Sequence, residues 1–535
     1  MNRCRNIFRF VLLLVTVFPA GYATASECAG KNDFLSAAGC EITASIPYAG
    51  GYGMVNVKAY PSTQSGSVFL NNVVVLIKGF DPGNAVSSDV FVWNVYLLTS
   101  QLRSRGYDLL VLNYQDRSND YIQKNAFALA QTLQRVQAIR STGQPFVVAG
   151  YSMGGIVARY ALAYMETNGI PHNTRLYISY DAPHRGASVP LAIQRFSPFL
   201  DAGFGELKHQ ISNTKKTISN LSFLIDLFMH IVNIGTLGNA PDAFFSGPML
   251  DQLAAAKVSV TQARQMLALT TSQYTDSPAA RQMLANHYGS SGADPLRAQM
   301  VAELSALGEY PQKMRKVAVT NGNLDGAVLP NISSDTQYFS YYKSNDYFSL
   351  LLEGWATDPQ PLFVSTGGLV GYVQSAIINQ TAKAFHGRMR GFDGALGYLV
   401  NDWKTYNEET YYAKQPAHLP LDNVAGSKLP LLLVLRESFN EAVRQTNVNQ
   451  YLLDPINIPL NDVTFIPTYS ALDLDPSAMY NNLASATTRF DAFYAPPGRI
   501  RHDEIDPQVV NNLVREIVAR PDLGWLSPVL GTLLQ

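Results

Sequence analysis

Five consecutive apolar residues, Val73–Ile77, constrain this chain more than any other feature. A strand with one wet face alternates apolar and polar positions, so an unbroken apolar run reads as a strand buried on both faces. Similar runs recur at 109–112 and 146–149, and 176–180 and 316–320 also have strand character. Helical spacing of apolar residues separates them at 123–139 and 156–165. Strands alternating with helices predict a mostly parallel sheet covered by helices on both sides. Residues 54–60 alternate and add a further strand before the series begins.

The remaining stretches divide the chain. Residues 1–25 read as an export leader: Arg3, Arg5 and Arg9 precede an apolar run, 10–17, too short to span a bilayer, and Ala23-Thr24-Ala25 fits a cleavage site. The expected location is therefore secreted or periplasmic. Loss of the leader takes the formal charge from −1 to −4, and no basic run suggests nucleic acid as a partner. Cys4 leaves with the leader, and Cys28 and Cys40 remain as an expected disulfide.

Residues 26–190 hold the first part of the core. A helical, lid-like insertion at 191–312 includes the apolar segment 221–229, which either adds core or covers substrate. Residues 313–330 return to the sheet. A second insertion of mixed character fills 331–460. Residues 461–535 close the core, with 463–466 as the last sheet strand and a final helix capped by Asp506 and begun by Pro507.

Gly150-Tyr151-Ser152-Met153-Gly154 joins the buried strand at 146–149 to the helix at 156–165. This strand–turn–helix setting is that of a nucleophile elbow, in which a sharp turn lifts the serine hydroxyl clear of the sheet. Acyl transfer also needs donors for the oxyanion that develops on the carbonyl. The elbow supplies the Met153 N–H. The loop after Val73–Ile77, Lys78-Gly79-Phe80-Asp81-Pro82-Gly83-Asn84, supplies the second, assigned to Phe80, although Asp-Pro-Gly is also ordinary turn chemistry.

The stretch Gly150–Tyr160 resembles the elbow and following helix of bacterial triacylglycerol lipases and of GPI inositol-deacylase-like hydrolases. Asp181-Ala182-Pro183-His184-Arg185-Gly186-Ala187 is similar to the T-P-H-x-G-S segment after the next strand in those lipases. Leu324-Asp325-Gly326-Ala327-Val328 resembles the acid loop of lecithin–cholesterol acyltransferase-like enzymes. The resemblance implies an α/β-hydrolase fold carrying a Ser-His-Asp triad. Tyr151 and Lys78 depart from the family pattern, each standing where a histidine is usual.

In this fold the histidine comes last, and His502, just before the final helix, is in the expected place. Asp325 is the preferred acid, with Asp473 and Asp475 as rivals. His184, too close to the elbow to act as base, is expected to brace the site together with Asp181. The expected activity is cleavage of carboxylic esters, as in an esterase or lipase, without cofactor or metal. An ester or lipid is the expected partner, and transient contact with a lipid interface is compatible with the apolar segment. An acyltransferase would use the same residues, a protease or amidase suits the apolar segment less well, and an inactive hydrolase-like binding protein would need one triad position to have decayed.

Overall fold

A computed structural model describes most of residues 27–519; outside the description are 213–274, 373–380, 393–401, 431–435, 437–455 and scattered shorter stretches. The leader and the apolar segment 221–229 therefore lie outside the described residues.

The buried runs assemble as their pattern requires. One sheet contains β1 (Cys40–Tyr48), β2 (Gly51–Tyr60), β3 (Val73–Ile77), β4 (Asp108–Asn113), β5 (Phe146–Tyr151), β6 (Thr174–Tyr180) and β7 (Arg315–Val319). An eighth strand, β16 (Ala492–Tyr494), follows much later in the chain. Their order is β1-β2-β4-β3-β5-β6-β7-β16, antiparallel at the β1, β2 and β4 pairings and parallel from β4 onward. This is the α/β-hydrolase fold.

Both faces of the sheet are covered, and β3 shows how. Val73, Val75 and Ile77 pack into one apolar cluster with α3 (Ile122–Ile139) and α4 (Met153–Thr167). Val74 and Leu76 pack into the opposite cluster with α2 (Tyr96–Ser104) and the final helix, α7 (Pro507–Val518). The period of two along a strand thus explains why no residue of the run is polar. Asp506 caps α7, accepting from the N–H groups of Gln508 and Val509, with Pro507 first in the helix.

Two short helices, α5 (Pro278–Met283) and α6 (Pro295–Ala306), lie in the expected helical insertion. The second insertion contains β8 (Gln337–Ser344), β9 (Phe348–Trp355), β12 (Thr381–Phe392) and β13 (Trp403–Lys414), an antiparallel sheet in the order β13-β12-β9-β8. A hairpin of β10 (Phe363–Thr366) and β11 (Leu369–Tyr372) stands between β9 and β12 in sequence.

One expectation is corrected here. The apolar run at 463–466 does form a strand, β15 (Val463–Pro467), but it pairs with β14 (Gly426–Leu429) in a separate two-stranded sheet. The main sheet closes instead with the three residues of β16, which pair with β7. Such a short strand leaves almost no periodic signal.

Cys28 and Cys40 are joined by a disulfide, as the pairing of the two cysteines predicted. Among the described residues no helix is long and apolar enough to cross a membrane. The closed loop spans few residues and anchors the start of β1, so replacing both cysteines with serine is expected to cost about 2–4 kcal/mol. Urea denaturation of the two forms measures that difference; equal midpoints with equal slopes would show that the bridge contributes nothing.

Candidate active site

The strand order fixes where a site can form. β3 is flanked by β4 on one side and β5 on the other, so the chain leaves its carboxyl end in one direction and returns on the other side. In open parallel sheets a ligand crevice opens at such a reversal, outside the carboxyl ends of the strands. The loop after β3 and the turn after β5 meet there.

Ser152 occupies the turn between β5 and α4 with φ 54° and ψ −124°. A left-handed φ strains a non-glycine residue by roughly 1–3 kcal/mol, and such strain persists only where the surroundings impose it. They do so by close packing. A Cβ at Gly154 would clash with the carbonyl oxygens of Ile77 and Lys78, so only glycine lets α4 approach the end of β3. A Cβ at Gly79 would lie 3.0 Å from the Ser152 Cβ and 3.5 Å from its Oγ. The Gly79–Phe80 backbone therefore runs directly against the serine side chain. Met153 opens α4, a position whose N–H has no acceptor within the helix.

Buried Lys78 organises the loop beside Ser152. Its ammonium donates to Asp81 Oδ2 (3.2 Å), to Asn113 Oδ1 (3.0 Å) and to the Val86 carbonyl. Asp81 in turn accepts from the Ala85 and Val86 N–H groups, each at 2.9 Å. Burial pushes the Lys78 pKa down, opposed by the charge of Asp81. The lysine that departs from the family pattern thus ties the loop together from beneath.

His502 lies buried in the loop between β16 and α7, with its Nδ1 2.7 Å from Asp181 Oδ2. An ionised carboxylate can only accept, so Nδ1 carries the hydrogen and Nε2 is left as the basic nitrogen. Tyr151 and Phe465 hold the imidazole from two sides, with ring centroids 5.2 Å and 4.8 Å away. The His502 N–H donates to the Lys428 carbonyl of β14 at 2.8 Å, which anchors the loop. Among the described residues Ser152 makes no direct hydrogen bond to His502.

Asp181 is fully buried at the end of β6, with φ 44°. Its backbone N–H donates to the Val319 carbonyl (2.7 Å), and its Oδ1 accepts from the Asn321 N–H (3.0 Å). The sequence reading gave this residue only a bracing role. The D-A-P-H segment carried it in plain view, but nothing local distinguishes an acid facing the histidine from one behind the sheet.

Asp325 is not brought to His502. It sits exposed on its loop, where its carboxylate accepts from Asn323 and from the Ala327 N–H (2.9 Å), contacts that lower its pKa. The rivals are elsewhere as well. Asp473 is buried against Arg185 (2.6 Å) and Arg159 (3.4 Å), and Asp475 caps a short turn through Ser477. Asp325 and both rivals therefore have local structural uses.

Buried His184 links β6 to α4. Its Nε2 lies 2.8 Å from Ser179 Oγ and its Nδ1 3.3 Å from the Arg159 guanidinium. Arginine only donates, so Nδ1 accepts and the imidazole is neutral. Burial, reinforced by the charge of Arg159, lowers its pKa from 6.5 to about 3. Among the described residues no group of three or more His, Cys, Asp or Glu side chains is arranged to hold a metal ion.

No family model and no curated protein matches this sequence. Among solved structures it is similar to the mature form of the Bacillus licheniformis lipase BlEst2, at 14% identity over 52% of this chain and 75% of that one, TM-score 0.27. It is similar to Est1E from Butyrivibrio proteoclasticus at 16% identity over 26% and 51% of the two chains, TM-score 0.20. XC6422 from Xanthomonas campestris, described as a serine hydrolase without a lid, matches at 19% identity over 28% and 63%, TM-score 0.21. At these values the fold rests on the sheet order and the elbow described above.

The pKa of His184 carries a prediction. Unfolded, the imidazole takes a proton near pH 6.5; folded, it stays neutral to about pH 3. Its contribution to stability is complete above pH 6.5 and is lost as pH falls from there towards 3. The drop in melting temperature between pH 7 and pH 5 is therefore expected to be smaller in His184→Gln than in the wild type, whatever their absolute stabilities. Parallel drops would contradict the assignment.

Proposed function

We propose that this chain is a serine hydrolase that cleaves carboxylic esters, with Ser152 as nucleophile, His502 as general base and acid, and Asp181 as the acid of the triad. The observation that carries the reading is the His502–Asp181 hydrogen bond of 2.7 Å beside a strained serine turn. Asp181 takes the role expected of Asp325.

In this mechanism Ser152 Oγ attacks the ester carbonyl carbon and its proton passes to His502 Nε2. Asp181 holds the imidazole in the tautomer that leaves Nε2 basic and stabilises the imidazolium that forms. The Met153 and Phe80 N–H groups receive the oxyanion. Collapse of the tetrahedral intermediate breaks the ester C–O bond, and the alcohol leaves with the proton from His502. Water, deprotonated by the same histidine, then attacks the acyl-enzyme and releases the acid. The disulfide supports an exported protein, since such bridges persist in oxidising compartments.

Hydrolysis of p-nitrophenyl esters of increasing acyl length tests the assignment. Ser152→Ala and His502→Ala are expected to lose most of the rate, and Asp181→Asn on the order of 10⁴-fold in kcat. Asp325→Asn is expected to keep the wild-type rate. The reverse ranking of the two aspartates would refute the choice of acid, and a wild type inactive on every ester would refute the activity.

A further inference from the structure

Asn321, two residues beyond the end of β7, is completely buried, and each of its polar groups is used. Its backbone N–H donates to Asp181 Oδ1 at 3.0 Å. Its backbone carbonyl accepts from the Ile500 N–H at 2.9 Å. Its side-chain Nδ2 donates to the carbonyls of Arg501 and Glu504, both at 2.9 Å, with the His502 carbonyl further away at 3.4 Å. Its Oδ1 accepts from the Tyr180 hydroxyl at 3.0 Å, and that hydroxyl also reaches the Glu504 carbonyl at 3.3 Å. One residue thus holds both the carboxylate that faces His502 and the backbone on either side of His502.

The chemistry requires an amide. Two donors are needed for the carbonyls of Arg501 and Glu504, and one acceptor for the tyrosine. An aspartate of the same shape would place a second carboxylate beside Asp181 and against those carbonyl oxygens, which cannot donate to it. Alanine would take the Nδ2 donor from both carbonyls and leave the Tyr180 hydroxyl only its longer contact, 3.3 Å to the Glu504 carbonyl.

We propose that Asn321 is a positioning residue that fixes Asp181 and His502 in register for proton transfer; the proposal rests on the triad reading above. It touches no reacting atom and acts through the two residues it joins. A misplacement of about 1 Å in such a pair can cost on the order of a hundredfold in rate.

The test is the pH profile of kcat and KM on a p-nitrophenyl ester for the wild type, Asn321→Ala, Tyr180→Phe and Asp181→Asn. Asn321→Ala is expected to lower kcat by about 10- to 100-fold with KM nearly unchanged. The acid limb of its kcat/KM profile should move to lower pH, because the loop that carries His502 loses its side-chain anchor and an imidazolium held less closely against Asp181 is stabilised less. Tyr180→Phe removes one hydroxyl at nearly constant volume and is expected to shift both quantities in the same direction by a smaller amount. If Asn321→Ala does not fold, Tyr180→Phe alone decides. Wild-type kcat and an unmoved acid limb in the folded variants, with Asp181→Asn still impaired, would overturn the positioning role and leave the triad standing. An Asp181→Asn variant as active as the wild type would overturn the triad and this inference with it.

Discussion

Asp181 carries a carboxylate into a place with no access to water, at the end of a central strand. A buried, unpaired carboxylate is costly enough that surrounding groups must either satisfy it or neutralise it. Here one oxygen takes the Asn321 N–H and the other takes the His502 imidazole, while its own N–H reaches the Val319 carbonyl. These contacts bind the ends of β6 and β7 to the loop before α7. The requirement to satisfy one charge therefore ties together segments far apart in sequence and places the His502 imidazole beside the elbow.

The sheet supplies the other half of the geometry. Glycine at 154 lets α4 press against the end of β3, and glycine at 79 lets the following loop pass the serine side chain. Lys78 then holds that loop to β4 through Asn113. Ser152 and the loop proposed to receive the oxyanion follow the adjacent strands β5 and β3, and His502 follows β16 on the same sheet, where backbone positions are set by a core packed on both faces. Rigid elements of this kind hold a reacting constellation more closely than free loops do.

Features set by local chemistry were legible in the sequence. The buried runs, the serine turn, the Asp506 cap and the cysteine pair each carry their signal within a few residues. The proposed acid was not legible, because that role depends on which carboxylate faces an imidazole far along the chain. Leu324-Asp325-Gly326 had the composition of an acid loop, yet its aspartate serves its own turn. Asp181 was expected only to brace the site beside His184, and the φ of 44° that turns it is not written in any side chain. The closing strand failed for a related reason. Val463–Pro467 has the apolarity of a core strand but finds its partner in Gly426–Leu429, whereas Ala492–Tyr494 has three residues and joins the main sheet through pairing with β7 alone.

In the proposed triad the Asp181–His502 pair activates Ser152. Exposing the purified protein to a fluorophosphonate and mapping the adduct by peptide mass spectrometry probes that activation. One adduct per chain is expected, on the peptide that contains Ser152, absent in Ser152→Ala and formed far more slowly in His502→Ala. An unmodified wild-type chain, or an adduct that maps elsewhere and survives Ser152→Ala, would contradict it.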